Sequence, residues 1–565
     1  MLPSSKPVVS INSKISSQEL GNLGMVAGAF DEFGLEDLIN KRIGKEGSHV
    51  VADSGVLVKL LVMQMLNVPY QSLSGTQEFY SALPLEVFGQ QKITSEDLGR
   101  AVLSRLLDDV YEYGSEKLFL ECSAQVVESL NIKITEAHID STSFHSDGKS
   151  TIQDECGFYL ALGYSRDHRP DLNQAICLML ADGSSGLPFY ARNLSGNVND
   201  NKSFNNMLNF AWTNIKEQFS ELEYLVGDSA LCTAANFADA AEQNIKLVTR
   251  VPDKTETAAR CFEMFEPEKM ESIFEGDENS PVGRWCEDGS IGEQKVKLLL
   301  VSNGALKEQK SQTIRKHAQT ELEKIRSAIK KMQTQPAICK ADAEKNFSKL
   351  VGKVKFCKVG LPNYEEVFKQ ARRGRPKKGG APETKCVAVK VNAEVLLDEQ
   401  KIADAVEQEC LYVLATNDTE REWTMAQLLG IYKRQSVIER NWRCCKDPRF
   451  FLDAIYLKTP SRIDALLWLM SLALLVYAAM EYKIRKITSE NGMEFPLFEN
   501  KTTQKPTLRR VFQYVGNLRI QVIKLPDGKA YITNVDDVMS KLLMKIGDSW
   551  CWYYSADSYC CNLST

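Results

Sequence analysis

Sixteen consecutive residues, Ala465 to Met480 (ALLWLMSLALLVYAAM), carry no charge, and Asp464 and Glu481 close the run on either side. A membrane span needs about 20 apolar residues, so this run is short for one. A helix that is apolar on every side belongs instead at the centre of a large soluble core. The 565 residues are enough for two to four domains around such a core. With 44% hydrophobic and 25% charged residues, the composition is that of an ordinary soluble protein, and no membrane partner is expected. The net charge of −5 argues against a protein that coats nucleic acid indiscriminately, so any nucleic-acid surface must be local. None of the 15 cysteines forms a Cys-x-x-Cys pair, which argues for reduced thiols and against zinc. The N-terminal stretch MLPSSKPVVSINSK has no apolar signal core, and a cytoplasmic location is expected.

Just upstream lies Tyr432–Lys446 (YKRQSVIERNWRCCK), free of Pro and Gly. Tyr432, Gln435, Glu439, Trp442 or Arg443, and Lys446 step by three and four, which predicts one face of a single helix. That face sets a carboxylate between an aromatic ring and a cation, with Arg434, Arg440 and Arg443 close by. A carboxylate so placed suits a metal ion, and the cations suit a polyanion. The plain alternative is a solvated, charge-rich helix.

Residues 1–125 read as helical, with Asp53-Ser54 as a cap for a helix over 56–66 and further helices through Leu98–Val110 and over 116–130. From Ile132 the pattern changes to β-β-β-α-β-α-β. The expected strands are 133–140, 174–181, 187–192, 223–228 and 246–251, with helices over 202–219 and 233–243. Asp140 is expected to close the first strand and Asp228 the fourth. Residues 252–430 interrupt the pattern with strand-like runs at 294–301, 385–391 and 410–415. They also hold a helix whose Ile314, Ala318, Leu322, Ile325, Ile329 and Met332 form a hairpin seam. Arg372-Arg-Gly-Arg-Pro-Lys-Lys378 has a Gly-Arg-Pro core flanked by cations. It resembles an AT-hook, a peptide whose arginines, here Arg372, Arg373 and Arg375, enter a narrow minor groove; the alternative is a solvated loop. The tail carries a hairpin signal at 518–523 and 530–532 about Pro526-Asp-Gly.

In an RNase H-like sheet the first and fourth strands are neighbours, so Asp140 and Asp228 would converge, and a helix laid across the sheet would add Glu439. Three carboxylates at close range repel one another unless divalent cations compensate them. Oxygen-only ligands favour Mg²⁺, with Mn²⁺ as substitute, and two ions about 4 Å apart would clamp the attacking and leaving oxygens of a phosphodiester. An aspartate after a strand is by itself often only a turn former.

The chain also resembles the DDE transposases of bacterial insertion sequences, in the cut-and-paste branch marked by Tyr-x2-Arg-x3-Glu-x6-Lys. Tyr432, Glu439 and Lys446 stand at that spacing, while Gln435 takes the Arg position with Arg434 beside it. HIDSTSFH (138–145), GYSRDHRPDLNQ (163–174), GLPFYARNLSGNVND (186–200), LVGDSALCT (225–233) and residues 444–469 extend the likeness over most of 130–480. The resemblance implies an α/β, RNase H-like catalytic core interrupted by a large insertion domain and preceded by an all-α domain. The parts would be a helical terminal-repeat-binding domain (1–130), the first part of the core (131–251), the insertion (252–430), the second part with the glutamate helix and the buried helix (431–483), and a C-terminal region for dimerisation or DNA contacts (484–565). It further implies Asp140, Asp228 and Glu439 as metal-binding catalytic residues. Tyr432, Arg434, Gln435, Arg443 and Lys446 would contact DNA, and Trp285 and Trp442 are the candidates for an aromatic that stacks on a hairpin end. The implied partners are the double-stranded terminal inverted repeats, target DNA and, at synapsis, a second copy of the chain. Two other readings compete: a catalytically silent, transposase-derived DNA-binding protein, and an RNase H-like nuclease without strand transfer. Of the histidines, His138 and His145 flank Asp140 and either assist proton transfer or serve the structure.

Overall fold

The computed structural model describes residues 15–45, 52–67, 72–89, 93–146, 158–163, 169–198, 204, 207, 211–274, 280–370, 384–446, 457–527 and 529–560. The apolar run forms the middle of a 31-residue helix, Pro460–Glu490, called the core helix below. Pro460 opens it at the first turn, where a missing N–H costs nothing. Of its most apolar 18-residue window, 89% is buried inside the protein. The helices Leu23–Glu32, Ser54–Met65, Arg100–Tyr113 and Ser115–Ser129 pack around it. A single apolar cluster runs from Leu20 to Tyr559. The helices expected over 56–66, 98–110, 116–130 and 233–243 are present, although Asp53 stands at its cap position without a side-chain cap bond; of the helix expected over 202–219, Trp212–Gln218 is helical and much of the remainder lies outside the described residues.

The N-terminal region is not all-α, which corrects the expectation. β1 (Ser16–Glu19) pairs antiparallel with Gln521–Lys524, which pairs in turn with Ala530–Thr533. The expected hairpin in the tail therefore completes a sheet begun by the N-terminal segment. Farther on, Trp550 is fully buried and donates from Nε1 to Glu32 at 2.5 Å. Gly28 makes this close approach feasible, because a Cβ there would lie 2.6 Å from the Trp550 Cα. Buried Lys59 bonds Asp31 and Glu36, both at 2.8 Å.

Among the described residues the main sheet has nine strands, in the order β4-β3-β2-β5-β6-β14-β9-β8-β7. They are β2 (Glu136–Ser146), β3 (Asn173–Asp182), β4 (Pro188–Ser195), β5 (Tyr224–Gly227), β6 (Lys246–Val251), β7 (Glu271–Ser272), β8 (Val282–Ile291), β9 (Gln294–Ser302) and β14 (Leu411–Thr416). β2, β5 and β6 run parallel, and the other pairings are antiparallel. One expectation fails here: β2 does not end at Asp140 but runs on to Ser146. Its antiparallel partner β3 holds it over the whole length, from Ala137↔Asp182 to Ser146↔Asn173. Only the pairing to β5 stops early, at His138↔Val226.

Strands from the interrupting segment, β7 to β9 and β14, extend this sheet rather than stand apart from it. Beyond them the helix Lys307–Thr334 buries its apolar seam. Ile314 and Ala318 meet Ile402 and Val406 of the helix Glu399–Glu409, and Leu322, Ile325 and Ile329 cover the pair β10 (Cys357–Val359) and β13 (Val395–Leu397). β11 (Asn363–Gln370) and β12 (Thr384–Asn392) form a second two-stranded pair. The basic run with Arg372, Arg373 and Arg375 falls between these two, outside the described residues.

Trp550→Ala should cost about 3–5 kcal/mol, the usual range for losing a large core aromatic. Urea unfolding followed by circular dichroism would measure it. A loss well below that range would show that the tail does not brace the N-terminal helices.

Candidate active site

Asp140 and Asp228 each lie two residues beyond the last parallel couple, His138↔Val226, and so leave the β2–β5 ladder side by side. Side chains alternate along a strand, so His138 and Asp140 share a face. In the neighbouring strands Tyr224, Val226 and Val248 pack on Leu428, Leu429 and Ile431 of the helix Met425–Lys433. Asp140 is half-buried and accepts from the Ser141 N–H at 2.7 Å, and exposed Asp228 accepts from the Ala230 N–H at 2.9 Å. The Thr249 hydroxyl fixes the turn by donating to the Asp228 carbonyl at 2.6 Å.

The stretch 432–446 is not one helix, contrary to the expectation from spacing. Met425–Lys433 ends and Ser436–Cys445, the glutamate helix, begins after a tightened turn. There Arg434, Gln435 and Val437 donate to Ile431, Tyr432 and Arg434 in i→i−3 bonds. Gln435 explains the break. Its side chain donates to the Ile139 carbonyl at 2.9 Å and meets His138 Nδ1 at 2.9 Å, which draws the turn onto β2 one residue before Asp140. Val437, Ile438, Trp442 and Cys445 bury the inner face of the glutamate helix and leave Glu439, Arg440 and Arg443 exposed.

Behind this turn lies a polar network. Arg434 forms a two-pronged pair with Glu136, whose Nη2–Oε2 arm is 2.6 Å, and Glu136 reaches His138 Nε2 at 3.4 Å. His138 is 0% exposed and Glu136 5%. Burial pushes the Glu136 carboxyl up, but the hydrogen bonds and charges of His138 and Arg434 outweigh it and hold the carboxyl below its ordinary value. Gly183 leaves room for the network, since a Cβ there would overlap Glu136 Oε1 and His138 Nε2.

Tyr432, at the end of the preceding helix, senses both sides of the site. Burial pushes its hydroxyl up to about 12, Arg250 opposes the shift, and the charges of Asp228, Glu439 and Asp253 add to it. Asp228 and Glu439 thus act on one hydroxyl from a strand end and a helix.

A family model described as "Transposase DDE domain" matches residues 134–476, more than half of the chain. The chain belongs to the DDE transposases. A second model, "Domain of unknown function (DUF4277)", matches residues 15–124. No curated protein matches this transposase. Among solved structures, a piggyBac transposase synaptic complex with hairpin DNA, determined by cryo-EM, aligns at 12% identity and TM-score 0.36, over 89% of this chain and 82% of that one. At that TM-score the likeness carries no structural weight.

Within the transposase, Asp140 and Asp228 are adjacent and Glu439 stands on the helix beside them. Among the described residues, however, no three His, Cys, Asp or Glu side chains are gathered closely enough to hold a metal ion. The donor chemistry of the strand pair, carboxylate oxygen from two neighbouring strands, fits a hard divalent cation.

Gln435 is buried and bonded to β2, away from the exposed face, whereas Arg434 pairs with Glu136 through a side chain that stays 41% exposed. Arg443 is exposed and Lys446 half-buried at the end of the glutamate helix. Trp442 is buried in the core and cannot stack on an extruded base without opening it, whereas Trp285 on β8 is half-buried. His138 is a structural anchor here. The Glu136–Arg434 pair was missed in the sequence, although the alternation Glu136, His138, Asp140 and the Gln at the Arg position were its signals.

Gln435→Ala would strand the Ile139 carbonyl and the His138 nitrogen in a buried site, at about 1–3 kcal/mol by urea titration; an unchanged midpoint would refute the coupling. Because Glu136 titrates below its ordinary value when folded, its stabilisation is complete above the ordinary glutamate range and is lost as pH falls through the lowered value. Stability-versus-pH curves for Glu136→Gln should accordingly be flatter on the acid side than the parental curve.

Proposed function

We propose that this chain is the transposase of a bacterial insertion sequence, cutting DNA at the terminal inverted repeats and joining the freed ends to target DNA. One observation carries the reading: Asp140 and Asp228 stand in adjacent register beside the helix of Glu439, inside the stretch that matches the DDE domain. The order β4-β3-β2-β5-β6, antiparallel up to β2 and parallel from β2 to β6, supports an RNase H-like core. Residues 131–251 and 431–483 would form that core and 252–430 the insertion. Residues 1–130 would read the repeat, and 484–565 would serve dimerisation or DNA contacts.

Asp140, Asp228 and Glu439 would hold Mg²⁺ or Mn²⁺, in two sites. When bound, the ions supply charge compensation and an activated oxygen for in-line displacement. The chain's own groups position the DNA. The Tyr432 hydroxyl, protonated at neutral pH as an ordinary tyrosine is, donates a hydrogen bond to a phosphate, and the cations of Arg443 and Lys446 hold the backbone beyond it. Arg372, Arg373 and Arg375 would add minor-groove contacts, and two copies of the chain would pair the two ends.

The test is a cleavage and joining assay on the element's terminal DNA with Mg²⁺, Mn²⁺ or EDTA. Asp228→Asn and Glu439→Gln should bind DNA as the parent does and cut at least about 100-fold more slowly, the upper end of what losing an outer-shell metal partner costs. Parental cutting by either variant would overturn the assignment. Cuts without joined products would mark a nuclease, and binding without cuts a silent derivative. Replacing Arg372, Arg373 and Arg375 with Ala should flatten the salt dependence of binding by about 0.9 in slope for each phosphate no longer neutralised. An unchanged slope would return that run to a solvated loop.

A further inference from the structure

The glutamate helix does not end at bare surface. Its outer side forms one wall of an open groove of about 740 Å³, whose other wall is the second half of the core helix and the segment 505–509 of the tail. Six cations line it: Arg440, Arg443, Arg485, Lys486, Lys505 and Arg509, against only Glu481 and Glu490. Glu481 is already committed, accepting from the Leu508 N–H at 2.8 Å and pairing with Arg485 at 3.0 Å. Arg440, Arg443, Lys486 and Lys505 have no carboxylate partner among the described residues, and all four are exposed. In a chain of net charge −5, this concentration of like charge costs self-repulsion that a polyanion would relieve.

The wall is built rather than loose. Arg485 Nε donates to the Pro506 carbonyl at 3.0 Å, the Arg509 N–H to the Tyr477 hydroxyl at 3.1 Å, and Thr507 caps the helix Leu508–Leu518. Tyr477 and Tyr482 also line the groove. Arg443 stands one helical turn after Glu439, so the groove starts beside the proposed catalytic carboxylate.

We infer that this groove is a phosphate track for a DNA strand leading away from the catalytic centre, with the tail supplying Lys505 and Arg509. The inference rests on the transposase reading for its direction but not for its ligand. The probe is a fluorescent DNA duplex of arbitrary sequence with a single-stranded 3′ extension, its binding to the full-length chain followed by anisotropy across a salt series.

Lys486→Ala combined with Lys505→Ala should lower the slope of log affinity against log salt by roughly 0.7–0.9 for each phosphate set free. Lys345→Ala with Lys349→Ala, exposed lysines of the interrupting segment, should leave it unchanged. All four side chains are exposed, and matching thermal midpoints would show that folding is intact. Equal slopes in the parent and the groove variant would overturn the track, as would absence of binding by the parent at low salt. A groove-dependent slope in a protein that never cuts DNA under any divalent metal would leave the track standing and remove the transposase chemistry.

Discussion

Burial of the core helix is the constraint on which the remainder of the molecule depends. A helix apolar on all sides needs cover on all sides, and no single neighbour can give it. The N-terminal helices, β4, the glutamate helix and the tail each cover part of it. In addition, β1 pairs with a strand some five hundred residues later and Trp550 lodges against Gly28. Parts of the chain that look separable in the sequence thereby share one core, and the proposed DNA-reading segment is mechanically continuous with the proposed catalytic half.

The glutamate helix is aligned to the main sheet by polar bonds as well. β2 is held by β3 along its length and by β5 only as far as His138, so Asp140 emerges where one ladder stops and the other continues. Gln435 spans from that point to the glutamate helix, and Arg434 anchors the same turn to Glu136. Buried polar groups of this kind are favourable only when fully satisfied, and a satisfied network admits one geometry. The helix register, and with it the position of Glu439, is therefore tied to the strand that carries Asp140.

Charge is distributed on the same principle. The acidic total conceals a groove in which four cations lack carboxylate partners among the described residues, while Glu136 and Asp398 are matched to cations. A local positive surface on an acidic chain favours contact with a phosphate backbone at one place over diffuse adhesion.

The strand order from 132 to 251, the buried helix, the hairpin seam at 314–329 and the family were legible in the sequence, since each rests on local periodicity or on spacing within a short segment. Only the tertiary structure decided that Gln435 turns inward, that 432–446 breaks in two, that Trp442 lies in the core, and that β2 outruns Asp140. Periodicity describes one helix face in isolation and says nothing of a partner 297 positions away in the chain, such as His138 for Gln435. The basic groove was hidden for the same reason. Its cations come from three separated stretches, and nothing in any one of them distinguishes a shared wall from ordinary solvated charge.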